Sequence, residues 1–419
     1  MKSVCIPCSG AVDVGDYLPI NGNPFFQSLR YRRQMGLNDL IFPGARHTRF
    51  EHAVGTFRRA SAAAQIQRLT PAESRLVQAF ALLHDIGHGP FSHQVEPVLD
   101  GDHHHRGKCM IHQMAPELAA CGMTPENLCE MMDGINPLAQ WVSDRNLGAD
   151  KLDYLQRDAY HIGFTGVPDL EVIQQRTARS TGGFLALHEK FIEDGKRLQK
   201  FYSYLHQHGY LNKTALIAQR MLQRALHGEL LEAGSGEGAC CLREACWKMD
   251  DAALMNRLLN ARSETAVLLA QKLQKRQLHR TVLCIKPQGY AYVENTVGKE
   301  IAVEEWTLEE LAAFSGRVST MEEIAAVEQE LAEAAGIPGA ALLLVAMPYF
   351  TKLLPRDLRI ANGGENDYWL FDKDRDHRAS MESDYLRTFA VRIAVAPEYR
   401  TGLFGNHSRL SDILRKYAQ

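Results

Sequence analysis

The sequence lacks several features that would by themselves assign the protein to a class. It has no apolar run approaching the roughly 20 residues that cross a bilayer, and Met1–Cys5 lacks the apolar core of a signal peptide. Its 47 basic and 50 acidic residues nearly cancel, and a net charge of −3 provides no global field for nucleic acid. Nine scattered cysteines, an odd number, are typical of reduced thiols. We therefore expect a cytoplasmic protein with no membrane partner.

Two further absences narrow the possibilities. The single CxxC pair, Cys5 and Cys8, has no second pair to complete a zinc site. The chain also has no internal repeat and no low-complexity tract. With 419 residues and an ordinary composition, 45% hydrophobic and 23% charged, it is long enough for two domains or for one helical domain with an appended lobe.

A histidine-rich stretch is the most informative part of the chain. Residues 82–93 read LLHDIGHGPFSH and place His84, Asp85 and His88 near the end of an apolar helix, whose start is predicted by a capping box at Thr70. Because His84 and His88 are four residues apart, we expect them on one helical face, a turn from each other. An adjacent His–Asp pair supplies a nitrogen and a carboxylate oxygen, which suits Mn, Fe, Ni or Zn.

Two other predicted helices offer the remaining ligands that a metal site needs. The stretch HTRFEH has Thr48 and Glu51 in capping-box spacing and carries His52. The stretch ADKLDYLQRD begins another helix, with Asp150 close to its start. Together with the pair His84–Asp85, these residues form the pattern H…HD…D. Four ligands from three or four helices predict a six-coordinate metal site with room for water and for a phosphate oxygen.

These stretches resemble the HD-domain metal-dependent phosphohydrolases, and among them the deoxynucleoside triphosphate triphosphohydrolases. The resemblance begins near residues 25–30, is strong to about Gly163 and continues weakly to about residue 225, roughly half of the chain. It implies a mainly α fold in which a helical HD-domain core binds a divalent metal; the four ligands accept Mn, Fe, Ni, Co, Zn or Mg. The implied metal ligands are His52, His84, Asp85 and Asp150.

The resemblance also implies catalytic roles next to the metal. In the family, the residue that matches His88 works in acid–base catalysis, supported by an acid and by a further histidine. The counterpart of the acid is Glu96. The further histidine falls within the triplet 103–105; alignment on Gly107 selects His104, but the triplet leaves the register open.

A nucleotide-binding surface is implied in the same way. The matching positions are Gln34 and Met35 against the base and sugar, Arg49, Lys151 and Tyr154 at the phosphates, Asp158 at the sugar hydroxyl, and Tyr210 near the 2′ carbon, where it helps to exclude ribose. The spacing of Asp150, Tyr154 and Asp158 independently predicts that they share one helical face.

Two positions depart from the family's pattern. Tyr202 stands where the triphosphohydrolases carry an arginine for the distal phosphates, and a phenol ring does not replace a forked cation. Gly22 stands where the nucleotide-activated members have an acid, so an activating guanine nucleotide is not predicted. The first departure favours an alternative substrate with a shorter phosphate group.

Three functions follow from this pattern. The leading prediction is a triphosphohydrolase that releases a deoxynucleoside and intact triphosphate, and the family implies a homo-oligomer, a dimer or a tetramer. The first alternative is an HD hydrolase of a nucleoside monophosphate or a cyclic nucleotide, and the second is a nucleotide-binding sensor with a secondary HD site. A basic amphipathic helix tail at 271–280 leaves nucleic-acid binding open, but it lacks the interleaved aromatic residues typical of that function.

The pattern changes from helical to mixed after residue 280. Residues 282–285 and 290–293 predict strands around a turn, and a helix over 320–335 and strands over 341–346 and 388–395 follow. We therefore predict a smaller α+β C-terminal lobe. The predicted divisions are an N-terminal segment 1–24, the HD core 25–230, a loop and helical extension 231–280, and the C-terminal lobe 281–419.

Overall fold

Helices dominate the computed structural model, which describes residues 2–234, 236–346, 354, 356–363 and 367–419. The helices are α1 (Leu18–Gly22), α2 (Pro24–Ser28), α3 (Arg49–Ile66), α4 (Pro71–Leu83), α5 (Glu96–Leu99), α6 (His103–Gln113), α7 (Ala115–Ala120), α8 (Pro125–Met132), α9 (Gln140–Ser143), α10 (Ala149–Ile162), α11 (Leu170–Gln175), α12 (Ile192–Leu205), α13 (Lys213–Glu232), α14 (Glu237–Lys248), α15 (Asp251–Leu259), α16 (Glu264–Gln274), α17 (Leu308–Arg317), α18 (Met321–Ala335), α19 (Leu370–Lys373), α20 (Arg375–Thr388), α21 (Arg400–Gly405) and α22 (His407–Arg415). Within the described ranges, no helix is both long and apolar enough to cross a membrane.

The strands are short and form three small sheets. They are β1 (Ser3–Ile6), β2 (Gly10–Asp13), β3 (Thr177–Arg179), β4 (Leu185–His188), β5 (Arg280–Pro287), β6 (Ala302–Trp306), β7 (Leu342–Ala346), β8 (Arg359–Ala361), β9 (Tyr368–Trp369) and β10 (Val391–Val395). The sheets are the hairpin β1-β2 and two four-stranded sheets, β6-β5-β10-β7 and β3-β4-β8-β9. The fold is mainly α, and strands β5 to β10 lie in its C-terminal part, which confirms the predicted fold class.

The helices that carry the predicted metal ligands begin where local sequence favours them. Thr48 caps α3 and Thr70 caps α4, each in a reciprocal capping box with the glutamate three residues later, as predicted. Helix α4 ends at Leu83, however, and residues 84–87 form a turn. The predicted helical spacing of His84 and His88 is therefore wrong, because the glycines and proline that follow stop the helix earlier.

The apolar face of α3 organises the HD region. Its residues Ala53, Val54, Phe57, Ala60 and Ala64 are buried, as the helical periodicity predicts. This helix packs against both α4 and α10. The three helices therefore present their polar residues to one shared space.

The C-terminal sheet has a mixed order. Strand β5 pairs in parallel with β6 and antiparallel with β10, which in turn pairs antiparallel with β7. The strand predicted over 290–293 is wrong: Ala291–Val293 forms a 3₁₀ turn. The strand predicted over 388–395 begins only at Val391, because α20 extends through Thr388.

The basic tail predicted as one helix is interrupted. Helix α16 ends at Gln274, and Arg276 has a positive φ of 54° in the turn that follows. The Arg276 side chain donates to the carbonyl of Leu40 at 2.6 Å, and Lys272 lies 3.3 Å from Glu398. These basic groups have protein partners, so the structure adds nothing in favour of a nucleic-acid surface here.

Two large hydrophobic clusters make up most of the core, and each draws on distant parts of the chain. The first contains α3, α4 and α10 and also includes Leu358, Ile360 and Leu370. The second contains α13, α16 and the C-terminal sheet and also includes Leu37 and Phe91. The predicted domain boundaries stay a prediction.

Candidate metal centre and nucleotide cavity

Helices α3 and α10 and the turn after α4 bring the four predicted metal ligands together. The Nε2 atom of His52 lies 3.1 Å from Oδ1 of Asp150 and 3.6 Å from Oδ2 of Asp85. The Nε2 atom of His84 lies 3.5 Å from Oδ2 of Asp85 and 3.6 Å from Oδ1 of Asp150. Metal–ligand bonds of about 2.0–2.2 Å place neighbouring ligand atoms roughly 3–3.5 Å apart. The ligand atoms of His52, His84 and Asp85 all lie within 4.8 Å of one another, and Asp150 joins this group through its contacts with both histidines.

The second nitrogen of each imidazole supports this assignment. Nδ1 of His52 lies 2.9 Å from Oδ2 of Asp153, and Nδ1 of His84 lies 2.9 Å from the carbonyl oxygen of Ala81. An Nδ1–H that donates to these oxygens leaves the Nε2 lone pair free for a metal. Both Nε2 atoms are buried and have no hydrogen-bond partner among the described residues. The residues present fit a divalent metal.

Electrostatics at the site point the same way. Burial alone lowers the pKa of His52, but the neighbouring carboxylates of Asp150 and Asp153 raise it to about 10. Burial likewise lowers the pKa of His84, and Asp85 and Asp150 raise it above its usual value. Buried imidazoles that favour the protonated form report a negative potential, which a bound cation would satisfy.

An ion pair behind His52 was not anticipated from the sequence. Asp153 accepts hydrogen bonds from Nε and Nη2 of Arg157, both at 2.9 Å, while Nη1 of Arg157 donates to the carbonyl of Pro7 at 2.8 Å. Gly55 leaves the space for this pair, because an added Cβ would lie 2.1 Å from both side chains. The only sequence signal was the position of Asp153, three residues after Asp150 in the motif.

Arg49 links the metal ligands to the neighbouring loop. Its guanidinium forms a short ion pair with Oδ2 of Asp85, and its Nε donates to Oγ of Ser92 at 2.8 Å. The side chain is almost fully buried. Arg49 therefore holds a positive charge beside the metal ligands, and its contact with a phosphate stays a prediction.

The predicted acid–base residue lies next to the metal ligands. His88 is buried, with Nε2 3.3 Å from Oδ1 of Asp85 and Nδ1 3.0 Å from Oε1 of Glu96. Burial, and then the charge of Arg49, lower the pKa of His88 to about 3, so the imidazole of His88 is neutral at pH 7 when no substrate is bound.

The structure brings His103, and not His104, to this cluster. Nδ1 of His103 lies 3.0 Å from Oε1 of Glu96, and its ring stacks on that of His88 with centroids 3.9 Å apart. Asp102 caps α6 by accepting from the backbone N–H of His104 at 2.9 Å, which makes His103 the first helical residue. The alignment on Gly107 therefore selected the neighbouring histidine.

A cavity of about 410 Å³ opens beside the metal ligands and has the size of a small-molecule site. Six of the seven residues predicted to contact a nucleotide line it, together with Asp85 and Asp150. Those six are Gln34, Met35, Arg49, Tyr154, Asp158 and Tyr210. Asp150, Tyr154 and Asp158 all face the cavity from α10, so the prediction of a shared helical face is confirmed.

One part of the cavity contains a hydrogen-bonded group of three side chains. Oδ1 of Asp158 lies 2.7 Å from Nε2 of His47, and Oδ2 of Asp158 accepts a short hydrogen bond from the hydroxyl of Tyr210. Residues His206–Tyr210 form a single π-helical turn, and such turns are common at functional sites. This turn brings both His206 and Tyr210 to the cavity wall.

The remaining predicted contact, Lys151, lies in an adjoining cleft of about 260 Å³. Its Nζ lies 3.0 Å from the ring centre of Tyr202, and burial lowers its pKa well below the usual value. Arg145 and Arg356 also line this cleft, and Tyr154 and Tyr202 belong to both the cleft and the cavity. The sequence reasoning missed both arginines, which no local motif marks.

The segment that carries Arg356 is held in place by α12 and by the loop before α10. The carbonyl oxygen of Arg356 accepts from Nδ2 of Asn146 at 3.1 Å and from Nε2 of Gln199 at 2.9 Å. Asn146 adjoins Arg145 in the chain. The hydrogen bond from Asn146 to the Arg356 carbonyl therefore holds the segments that carry the two arginines next to each other.

Comparison with known proteins agrees with this geometry. Residues 49–157, which contain the four candidate metal ligands, match the model of the HD domain. The chain is 30% identical over 283 residues to the uncharacterized protein MJ1154 of Methanocaldococcus jannaschii, covering 66% of this chain and 57% of that protein. It is 28% identical over 275 residues to human deoxynucleoside triphosphate triphosphohydrolase SAMHD1, covering 54% of this chain and 44% of that protein.

The fold as a whole has a counterpart among solved structures. A phosphohydrolase from Bacteroides thetaiotaomicron superimposes with a TM-score of 0.71 and 19% identity, covering 94% of this chain and 100% of that one. The chain spans about half the length of the curated relatives it matches. Residues 49–157 therefore carry the HD domain, and the chain is similar to the deoxynucleoside triphosphate triphosphohydrolases of human and Dictyostelium discoideum.

Proposed function

We propose that this protein is a metal-dependent nucleotide phosphohydrolase that converts a deoxynucleoside triphosphate to the deoxynucleoside and triphosphate. The observation that carries the proposal is the continuity of three features around one space. The HD ligands Asp85 and Asp150 line the cavity, the pair Asp158–Tyr210 lines it too, and the cleft with Lys151 adjoins it. A nucleotide has the same three parts, a reacting phosphate, a sugar with its base, and a phosphate tail.

The chain's own residues provide charge, orientation and a proton. A divalent metal held by His52, His84, Asp85 and Asp150 would supply Lewis-acid polarisation of the phosphoryl group and activation of water. Arg49, fixed by Asp85 and Ser92, offsets the negative charge that spreads over the phosphoryl oxygens. In this proposal the neutral ring of His88, 3.0 Å from Glu96, takes up a proton from solvent when the negatively charged phosphates bind, and the imidazolium then donates that proton to the leaving 5′ oxygen of the sugar.

The cation-lined cleft supports a triphosphate over a shorter substrate. Arg145, Lys151 and Arg356 surround a space next to Asp150, so a phosphate chain that begins at the metal ligands can extend towards two fixed positive charges and towards a buried amine that the phosphates would favour in its charged form. Tyr202 removes one family arginine, but its ring stacks with the Lys151 ammonium, a cation–π contact. In our proposal the two arginines replace the charge that Tyr202 lacks.

The two alternative functions can be tested as well. An HD hydrolase of a nucleoside monophosphate or a cyclic nucleotide would use the same metal ligands and would leave the cleft with Arg145 and Arg356 unused. A nucleotide-binding sensor would bind a nucleotide in the cavity without turnover. These outcomes differ in their products.

The test is a product assay on purified protein with Mn²⁺, Mg²⁺, Fe²⁺ or Co²⁺. Deoxynucleoside and ribonucleoside triphosphates, nucleoside monophosphates and cyclic dinucleotides are supplied separately, and ion-exchange chromatography separates the products. We expect deoxynucleosides and intact triphosphate from the deoxynucleotides alone. Orthophosphate from a monophosphate, with triphosphates left intact, would overturn the proposed substrate, and nucleotide binding without any product would favour the sensor.

A double variant tests the site assignment itself. Replacing His84 and Asp85 by alanine removes two ligands, so we expect loss of bound metal and of all hydrolysis with circular dichroism unchanged. The control is His112→Ala, an exposed histidine on α6, which should retain metal and activity. Hydrolysis that survives the double change would show that the reaction occurs elsewhere.

A further inference from the structure

A second group of side chains that could bind a metal surrounds and includes His88. The candidate ligand atoms of His88, His93, Glu96 and His103 all lie within 4.8 Å of one another. Both Nδ1 of His88 and Nδ1 of His103 lie 3.0 Å from Oε1 of Glu96, and Nδ1 of His93 lies 3.2 Å from Oε2. None of these four residues belongs to the HD ligand set.

The cluster contains buried polar atoms without partners. Nδ1 of His88, Nδ1 of His103 and Oε1 of Glu96 are buried and have no hydrogen-bond partner in the part of the chain that the structure describes. The separations from Glu96 are short enough for hydrogen bonds, but these atoms do not meet hydrogen-bond geometry, and the rings of His88 and His103 stack with only 14° between their planes. His88 is 99% buried, and leaving such atoms unpaired is costly. A cation coordinated by the lone pairs of these atoms would remove this cost.

We propose that His88, His93, Glu96 and His103 form a second metal site, specific for a transition metal such as Zn²⁺. The set of three imidazoles and one carboxylate is typical of Zn²⁺ and related ions, and separations of 3.0–3.2 Å agree with the roughly 3–3.5 Å between ligands of one such ion.

The other edge of His88 faces a second carboxylate. Its Nε2 lies 3.3 Å from Oδ1 of Asp85, so an Nε2–H can turn towards this carboxylate once a metal holds Nδ1. A metal-binding histidine usually donates its second N–H to a carboxylate in this way. Asp85 therefore connects the two sites through a single imidazole.

The backbone next to the cluster has an unusual conformation that brings His93 close to His88. Phe91 and Ser92 have consecutive positive φ values of 52° and 55°, which are rare for residues other than glycine and costly unless the surroundings enforce them. They turn the chain so that the ring of His93 lies 4.5 Å from that of His88. Gly87 has no Cβ to block the approach of His103, whose carbonyl oxygen would lie 2.0 Å from such an atom. Two local features thus converge on the same four side chains.

Metal at this site has a functional consequence, which rests on the proposed function. A metal coordinated by Nδ1 of His88 fixes the ring and withdraws it from proton donation to the leaving group. The second site is then inhibitory, and Zn²⁺ bound there lowers turnover by protein that carries another metal at the HD site.

The primary test counts zinc, so it does not depend on any hydrolytic activity. Protein equilibrated with excess Zn²⁺ and then desalted is analysed by mass spectrometry of the metal, alongside the variants His103→Ala, His93→Ala and His105→Ala. We expect one ion fewer per chain for His103→Ala and His93→Ala, and no change for the control His105→Ala. Because Nε2 of His105 lies 3.9 Å from Sγ of Cys109, all four proteins also carry Cys109→Ser; the other eight cysteines are the same in each, so zinc held by those thiols cancels in the comparison.

A second background separates the two sites. The double variant His52→Gln, Asp150→Asn removes two HD ligands but keeps Asp85 as the partner of His88. It should retain one ion that a further His103→Ala change removes, and its Co²⁺ form should keep the strong visible absorption of low-coordinate cobalt. Equal zinc counts for His103→Ala and His105→Ala would overturn the second site even if hydrolysis is found, whereas absent hydrolysis with the expected counts would overturn only the proposed function.

Discussion

Oδ2 of Asp153 lies 2.9 Å from Nδ1 of His52, and Nε2 of the same imidazole lies 3.1 Å from Oδ1 of Asp150. The imidazole is thus oriented by one carboxylate and faces another. This arrangement makes Asp153 a positioning residue for the candidate metal ligand.

The Asp153→Asn variant should bind metal about 10–100-fold more weakly, because the loss of such a supporting carboxylate has this effect in other metal sites. Isothermal titration with Mn²⁺ measures the change. The variant Arg157→Gln serves as the control, since it breaks the ion pair with Asp153 but keeps the carboxylate on His52. If the two variants lost affinity equally, the ion pair and not the carboxylate–imidazole contact would position His52.

The Gly55→Ala variant should be less stable than the parent by about 1–3 kcal/mol, as expected for overpacking in a core. The added methyl would lie 2.1 Å from both Asp153 and Arg157, which are held on several sides. Denaturant unfolding gives the difference in the free energy of unfolding. The matched control is Gly316→Ala in α17, where nothing lies within 4 Å and a gain of up to about 1 kcal/mol is expected. A stable Gly55→Ala protein would mean that the Asp153–Arg157 pair moves readily.

The Tyr210→Ala variant should hydrolyse ribonucleotides, whereas Tyr210→Phe should continue to reject them. Our proposal places the ring of Tyr210 near the 2′ carbon, so exclusion of ribose depends on the volume of the ring and not on the hydroxyl that donates to Asp158. The measurement is the ratio of kcat/KM for a ribonucleotide to that for the matching deoxyribonucleotide. A relaxed ratio in Tyr210→Phe alone would instead assign the discrimination to the Tyr210–Asp158 hydrogen bond.

The variants Arg145→Ala and Arg356→Ala should each weaken inhibition by inorganic triphosphate about tenfold, since a hydrogen bond to a charged group contributes roughly 1.5 kcal/mol or more. Inhibition by orthophosphate should change little, because its single phosphate group reaches only the metal ligands. Arg197→Ala, an exposed arginine of α12, controls for the loss of a positive charge. Unchanged inhibition by triphosphate in both cleft variants would remove the support for a long phosphate tail.

The fold should lose stability in acid partly through His279. This side chain is buried with Nε2 2.9 Å from the carbonyl oxygen of Ala340, and burial lowers its pKa to about 4. The unfolded chain, with a histidine pKa of about 6.5, binds the proton first, so the contribution of His279 is fully present above pH 6.5 and is lost as the pH falls towards 4. The loss amounts to roughly 3.5 kcal/mol, from a pKa difference of about 2.5 at about 1.4 kcal/mol for each unit.

The His279→Gln variant should therefore show a flatter dependence of unfolding free energy on pH between 7 and 4. Denaturant titrations at several pH values give the slope. His112→Gln, in which an exposed histidine is lost, should keep the slope of the parent. An unchanged slope in His279→Gln would show that this imidazole does not control acid stability.

The sequence by itself determined the elements that depend on short-range interactions. The capping boxes at Thr48 and Thr70 set the starts of α3 and α4, and the apolar period of α3 set its buried face, since both depend on residues within a few positions of each other. The candidate metal ligands lie in such local motifs, and their convergence followed from the resemblance of those motifs.

The tertiary structure alone decided the contacts between distant parts of the chain. Arg145 and Arg356 line one cleft although about 200 residues separate them, and no periodicity marks either residue. The choice of His103 over His104 depended on the cap at Asp102 and on the packing of α6 against Gly87. Such choices depend on side-chain volume and on the direction in which a helix enters the core, which only the packed chain specifies.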